Sequence, residues 1–228
     1  MAGADAPSTT AVLPALNEEA SIGRVVAGLV GRVDEVLVVD NGSTDATGAL
    51  ARAAGARVVS EVTPGFGAAC YAGALAASGE ILVFLDADGS FAPADAERVL
   101  RPVAAGELDL CLGTRTWRRS SAMPRTLRGA NLVLGQAVRI AGTPPLTDLG
   151  PLRAIRRDRL LALGVADRAF AWPLEMILRA GRAGLRIGEV HVAYLPRIGG
   201  ESKVTGSLAG SLRVARQMSR LIAREVLR

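Results

Sequence analysis

The 228-residue chain has no run of the ~18 consecutive apolar residues that a membrane-spanning helix needs, so no such span is expected. It has only two cysteines, Cys70 and Cys111, far apart and outside any CxxC pattern. That excludes a disulfide framework or zinc knuckle and makes the reducing cytosol the default compartment. Residues 1–10 lack both a basic stretch and an apolar core, so no secretory leader is expected. The single histidine, His191, falls in an alternating apolar segment from Glu189 to Tyr194 and reads as a core or sheet-face residue rather than a base. Acidic residues are missing between Leu110 and Thr147, a stretch that nevertheless holds Arg115, Arg118, Arg119, Arg125, Arg128 and Arg139.

Apolar residues make up 50% of the chain, enough for the core of one sizeable α/β domain. The net charge of +5 conceals a polarity along the chain. Residues 1–109 carry 6 basic and 15 acidic side chains, whereas residues 110–228 carry 21 and 7. The first half suits cations and the second suits anions such as phosphates, with a solvated arginine surface as the alternative.

The first hundred residues alternate strand and helix. Strands are expected at Thr10–Leu13, Val36–Val39, Arg57–Ser60 and Ile81–Leu85, with helices at Glu18–Val30, Thr44–Ala54 and Gly67–Ala77. Continuous apolar strands separated by helices indicate a mostly parallel sheet covered on both faces. Ligands of such sheets bind beyond the carboxyl ends of the strands. Further on, strands are expected at Leu108–Leu112, Leu152–Ile155 and Arg186–Tyr194. Helices are expected at Leu127–Ala141, Trp172–Ala183 and Ser207–Arg228. Neither a repeat nor a linker divides the chain, so 1–228 is read as one domain.

Three strand ends carry distinctive loops: Pro14 to Glu19, Asp40 to Asp45, and Asp86-Ala87-Asp88. On an extended segment the carboxylates of Asp86 and Asp88 would face the same way. Two carboxylates plus diphosphate oxygens can complete the oxygen shell of Mg²⁺ or Mn²⁺. An Asp-Gly turn closing the strand is the plainer alternative. Asp40 can accept hydrogen bonds from a base or ribose, while Ser43 or Thr44 can cap the following helix. Gly65-Phe66-Gly67 opens a helix as in a dinucleotide fingerprint, but the third glycine is absent, which favours helix packing.

Taken together, these loops resemble the family-2 glycosyltransferases of GT-A fold, and in particular the polyprenyl-phosphate hexose synthases of the dolichol-phosphate mannose synthase type. The resemblance starts at Val12–Glu19 and runs through Val39–Asp45 and Asp86–Asp88. It continues through Gly113-Thr114-Arg115 and Thr147–Gly150 to Arg197–Lys203, covering nearly the whole chain in order. It implies a nucleotide-sugar-binding half, 1–112, and an acceptor-binding half, 113–228, ending in an amphipathic helix. Pro14, Asn17, Glu18, Asp40, Asn41 and Ala87 would then surround the nucleotide sugar, a UDP- or GDP-hexose. Asp86 and Asp88 would hold the metal, Arg197 and Lys203 would close over the phosphates, and Arg115 would lie at the acceptor phosphate. Inverting transfer to a polyprenyl phosphate at the cytoplasmic membrane face follows from the same resemblance, with no nucleic-acid partner. Two departures stand out: Ser90 occupies a position where relatives often have Gln, and Asp40-Asn41 replaces a pair of aspartates.

The arginine-rich stretch supports an acceptor phosphate independently, at Arg115 and Arg128, because guanidinium forks grip phosphate oxygens bidentately. A phosphate monoester, with a second pKa of ~6, is already mostly dianionic at neutral pH and needs no base. A hydroxyl acceptor would need one. Glu175 could serve as that base, or it could face solvent or pair with an arginine. Arg213, Arg216, Arg220 and Arg224 form a basic stripe on the closing helix, beside an apolar face containing Leu208, Leu212, Ala215, Ile222 and Val226. Such a helix either lies on an anionic membrane or packs on the domain. Three rival functions remain at this level: transfer to a soluble hydroxyl acceptor, a dinucleotide-binding oxidoreductase, and a non-catalytic nucleotide-sugar sensor.

Overall fold

The computed structural model describes residues 6–116, 146–199 and 216–224. Arg128, Lys203, Arg213 and the helix expected at Leu127–Ala141 lie outside the described residues. Among the described residues are seven strands: β1 (Thr9–Ala15), β2 (Glu35–Asp40), β3 (Arg57–Ser60), β4 (Ile81–Phe84), β5 (Leu110–Thr116), β6 (Arg153–Arg156) and β7 (Ile187–Ala193). They form one sheet in the order β3-β2-β1-β4-β6-β5-β7. β3, β2, β1 and β4 run parallel, as do β5 and β7, while β6 is antiparallel to both β4 and β5. The mostly parallel α/β sheet expected from the sequence is therefore present, interrupted by one reversed strand.

The period of two along each strand sorts its side chains into two cores. Val12, Leu37, Val39, Leu82, Phe84, Leu110, Leu112 and Ile155 face one layer. Ala11, Leu13, Val36, Val38, Ile81, Val83, Cys111 and Ala154 face the other. The second layer is covered by α1 (Ile22–Leu29), α2 (Thr47–Ala53) and α4 (Ala94–Ala104). In α1, Ile22, Val25, Val26 and Leu29 recur at i, i+3, i+4 and i+7 and are all buried. Each such side chain contributes roughly 1.5–3 kcal/mol by leaving water. The first layer holds α3 (Phe66–Ala76), α5 (Arg157–Ala162) and α6 (Trp172–Arg182). Trp172 meets Phe84 there at a ring separation of 5.1 Å. α3 approaches the sheet closely because Gly73 has no side chain; a Cβ there would strike Val12 of β1. Cys70 and Cys111 are free and buried, and burial pushes the Cys111 thiol up to about 12.

Two helices were not expected. α4 is marked by Ala96, Val99, Leu100 and Val103 at helical spacing, but its four charged residues and Pro102 mask that apolar face. α5 is a six-residue helix, too short for periodicity to reveal. Helix α2 begins at Thr47, later than expected, and neither Ser43 nor Thr44 caps it. Instead Asp45 Oδ1 accepts from Thr47 N at 2.9 Å and from its hydroxyl at 2.5 Å.

Residues 216–224 are helical. Leu221 is buried, and Met218 and Ile222 pack against the first core layer. Over this segment the apolar face meets the protein, so packing on the domain is the alternative realised here. Arg224 bonds Glu175 while still partly open to solvent, and Arg216 and Arg220 are exposed. No helix among the described residues is long and apolar enough to cross a membrane.

Candidate active site

The carboxyl ends of β1, β2 and β4 converge because these strands are adjacent and parallel. The β1 and β2 loops are stitched together by side chains. Asn17, at φ 51°, donates its N–H to Ser43 Oγ at 3.0 Å and accepts from Thr44 N at 2.8 Å. Glu18 N donates to Thr47 Oγ1 at 2.8 Å, and Ala46 N donates to the Glu19 carboxylate at 3.1 Å. Asp40 Oδ1 accepts from Ser43 N at 2.9 Å. Pro14 stands beside this junction on β1, paired in register with Val39.

Asn41 spends its whole amide on the next loop. Its Nδ2 donates to the carbonyls of Glu61 (2.9 Å) and Thr63 (2.8 Å), and its Oδ1 accepts from Gly65 N at 2.8 Å. Asn41, expected as a nucleotide contact, ties its side-chain amide to the 61–65 segment and so shapes it.

β4 ends at Phe84, and Asp86 to Gly89 form a turn rather than the extended segment expected. Gly89 takes φ 77°, a conformation that favours glycine, and Asp88 Oδ1 accepts from Ser90 N at 2.8 Å. The turn and the acidic pair thus coexist. Ala87 is buried, and its carbonyl accepts from Ser21 Oγ at 2.8 Å, fixing the turn to the start of α1. Ser90 contributes through its backbone; its buried hydroxyl has no hydrogen-bond partner among the described residues.

Arg197, from the segment after β7, enters this acidic corner. Its Nη1 lies 2.7 Å from Asp88 Oδ2, and its Nη2 lies 2.9 and 3.1 Å from the two Glu18 oxygens. Asp86 differs: it has no hydrogen bond among the described residues. Burial first, and the neighbouring charge of Asp88 second, lift its carboxyl to about 7, against the pull of Arg115, Arg153 and Arg197. A carboxylate pair, Asp88 buried and Asp86 partly so, with one unmet member fits a hard divalent cation that also takes oxygens from a bound diphosphate. No cluster of three or more His, Cys, Asp or Glu side chains is found among the described residues, so most of the remaining ligands would come from substrate or water.

Arg115 does not stand as a lone cation. Asp148, from the Thr147–Gly150 motif, takes its Nε and Nη2 at 2.7 Å each and its N–H at 3.1 Å. The Arg115 guanidinium also lies 5.2 Å from the centre of the Tyr194 ring. Behind them Arg153 is buried, with no carboxylate in hydrogen-bond contact among the described residues. It donates to the carbonyls of Gly150 (2.5 Å), Pro173 (2.9 Å) and Pro151 (3.3 Å). Burial lowers its guanidinium to about 10, despite the opposing pull of Asp86 and Asp148. Asp148, Arg153 and Tyr194 carried no assigned role in the sequence. The signal the sequence held was the Thr147–Gly150 motif, which contains Asp148.

Two further expectations are resolved by burial. Glu175 is wholly enclosed. It accepts from Ala166 N (3.1 Å), Asp167 N (2.6 Å), Arg179 Nε (2.9 Å) and Arg224 Nη2 (3.1 Å). It is therefore an arginine partner, neither solvent-facing nor a free base. His191 lies exposed on the edge strand β7.

The glycines of Gly65-Phe66-Gly67 have a packing role. The N–H groups of Gly67 and Ala68 donate to the carbonyls of Ala169 and Arg168 at 3.0 and 2.9 Å. A Cβ on Gly67 would lie 2.7 Å from Asp167 O and 2.8 Å from Trp172 Cβ. The helix N-terminus that would hold a pyrophosphate in a dinucleotide fold is filled by protein.

Residues 10–162 match the family described as Glycosyl transferase family 2. The chain belongs to this family. Family 2 membership makes it a glycosyltransferase, and its relatives extend over most of its length. It is 42% identical to an uncharacterised glycosyltransferase of Mycobacterium tuberculosis, covering 90% of this chain and 93% of the other. It is 32% identical to the undecaprenyl-phosphate mannosyltransferase of Micrococcus luteus, covering 87% and 88%. Glucosyl-3-phosphoglycerate synthase from Mycobacterium tuberculosis, solved with phosphoglyceric acid, aligns at TM-score 0.79 and 26% identity over 96% of this chain and 80% of that one. Other structures of that synthase hold Mn²⁺ with uridine diphosphate and glucosyl-3-phosphoglycerate, or Mg²⁺ with uridine diphosphate. The seven-stranded sheet is accordingly a family-2, GT-A-type sheet.

Proposed function

We propose that this family-2 glycosyltransferase moves a hexose from a UDP- or GDP-sugar to a polyprenyl phosphate, using Mg²⁺ or Mn²⁺ at Asp86 and Asp88. Pro14, Asn17, Glu18 and Asp40 line the nucleoside side, with Asn41 setting the adjacent loop and Ala87 the turn. When bound, the metal neutralises charge on the departing diphosphate. Arg197, joined by Lys203, adds guanidinium and ammonium charge to the same leaving group, while Arg115 and Arg128 serve the acceptor phosphate. Arg115 enters that role as half of an ion pair, oriented by Asp148 and Tyr194.

The observation that carries the choice of acceptor is Glu175. The carboxylate that the sequence offered as a candidate base for a hydroxyl acceptor is enclosed and committed to two arginines and two backbone N–H groups. A phosphate acceptor arrives with its own nucleophilic charge and needs orientation only. Similarity over nearly full length to an undecaprenyl-phosphate mannosyltransferase supports the same reading. Contact at the cytoplasmic membrane face, where such an acceptor resides, belongs to this proposal, as does the reading of 1–228 as one domain with donor and acceptor halves.

The likeness to a synthase crystallised with phosphoglyceric acid favours a second reading, a soluble phosphorylated acceptor. One assay separates the two: radiolabelled UDP- and GDP-sugars are offered with short polyprenyl phosphate or with 3-phosphoglycerate, in Mn²⁺ or EDTA, to wild type and Asp88→Ala. Metal-dependent, Asp88-dependent label in the organic phase is the expected result. Label in the aqueous product instead replaces the lipid acceptor with the soluble one.

A further inference from the structure

The segment after β7 crosses the acidic turn as a strap. Leu195 N donates to Ser90 O at 2.9 Å and Ile198 N to Asp88 O at 3.0 Å, so backbone bonds anchor it on both sides of Arg197. Ile198 covers Gly89, where any Cβ would collide with it. Thus anchored, Arg197 lays its guanidinium fork between Glu18 and Asp88. Both oxygens of Asp88 are then engaged, Oδ1 by Ser90 N and Oδ2 by Arg197, whereas Asp86 has no hydrogen bond among the described residues. A cation needing Asp88 Oδ2 must first displace a guanidinium held by charge-assisted bonds, and must meet its positive charge in doing so.

We infer that Arg197 is a nucleotide-operated latch, which withholds Asp88 from a bare divalent cation until a nucleoside diphosphate draws the guanidinium away. The inference rests on the metal reading of Asp86 and Asp88. A diphosphate offers the planar fork a bidentate partner with more charge than the Asp88 carboxylate it would give up. Nucleotide binding therefore frees Asp88 at the moment the phosphates bring further metal ligands. Metal and nucleotide bind with positive coupling, and by linkage each tightens the other. The same side chain that guards the empty site becomes a clamp on the leaving group.

The test measures Mn²⁺ binding by calorimetry and electron paramagnetic resonance, without nucleotide and with UDP or GDP. Folding of each variant is checked by circular dichroism. Arg197→Gln should bind nucleotide-free Mn²⁺ about 10-fold or more tightly than wild type, since a charge-assisted bond no longer has to be broken. The same variant should bind the Mn²⁺–nucleotide pair more weakly. In an Asp88→Asn background the gain in nucleotide-free binding should vanish, because the latch acts through that carboxylate. Unchanged or weaker nucleotide-free Mn²⁺ binding by Arg197→Gln overturns the latch. A gain that persists in the Asp88→Asn background also overturns it, leaving only a general charge effect. If Arg197→Gln does not fold, Arg197→Lys, which cannot fork across both carboxylates, must show a gain in the same direction or the inference fails. Absence of Mn²⁺ binding by wild type even with nucleotide would instead remove the metal reading beneath it.

Discussion

Replacing Glu175 with Gln separates a structural carboxylate from a catalytic one. The substitution keeps shape and one acceptor oxygen for the N–H groups of Ala166 and Asp167 but removes the charge that Glu175 offers to Arg179 and Arg224. Breaking a fully buried ion pair typically costs ~3–5 kcal/mol because a charge is stranded. Here the arginine side chains are 26% and 46% exposed and can recover some hydration, which lowers the figure. Loss of charge assistance in two arginine bonds and two N–H bonds brings the expected destabilisation to about 2–3 kcal/mol. At the ~2–4 °C per kcal/mol of a chain this size, the melting temperature should fall by roughly 4–12 °C. Urea unfolding should show a lower midpoint at unchanged slope. Transfer rates measured well below the melting temperature should stay within about 3-fold of wild type, since no proton passes through this group. A variant of normal stability whose kcat is lost by orders of magnitude would refute the argument. It would make Glu175 the base and favour a hydroxyl acceptor.

Asn41→Ala removes three hydrogen bonds from the 61–65 segment, so KM for the nucleotide sugar should rise about 10-fold with kcat largely retained; a kcat-only loss in steady-state kinetics would contradict a loop-shaping role. Gly67→Ala inserts a methyl against Asp167 O and Trp172 Cβ and should cost about 1–3 kcal/mol in denaturant titration; an unchanged midpoint would show that the contact is slack. Glu35 is raised by burial, but hydrogen bonds from Ser78, Thr10 and Arg57 outweigh this and hold it at about 2, against a usual 4.5. Its stabilisation, up to roughly 3 kcal/mol, is complete above about pH 5 and drains away as pH falls toward 2. Glu35→Gln should therefore flatten the acid limb of stability against pH, and an identical limb in both proteins would exclude this group as its source.

Much of the first half of the chain was legible because its information is local. Apolar runs at Val36–Val39 and Ile81–Leu85 announce buried strands, and carboxylates placed where such runs end announce a ligand edge. The helices of that half follow the same logic, except where the charges and Pro102 of α4 interrupt the pattern. The antiparallel entry of β6 between β4 and β5 was not legible, since strand order depends on pairings between residues some seventy positions apart. Side-chain commitments were hidden for the same reason. The tie from the Asn41 amide to the 61–65 segment could not be read in advance, and Glu175 looks like a base until two arginines and two N–H groups are found on it.

By itself, then, the sequence determined the α/β class, the acidic edge at Asp86 and Asp88, and the division between an acid-rich and an arginine-rich half. Periodicity, strand-end chemistry and charge are properties of neighbouring residues. Only the tertiary structure decided which charges are spent on one another: Arg197 on Glu18 and Asp88, Arg115 on Asp148, and Arg224 on Glu175. Those partners lie tens of residues apart or more, and a charge acquires its role from the neighbour that folding places within about 3 Å of it.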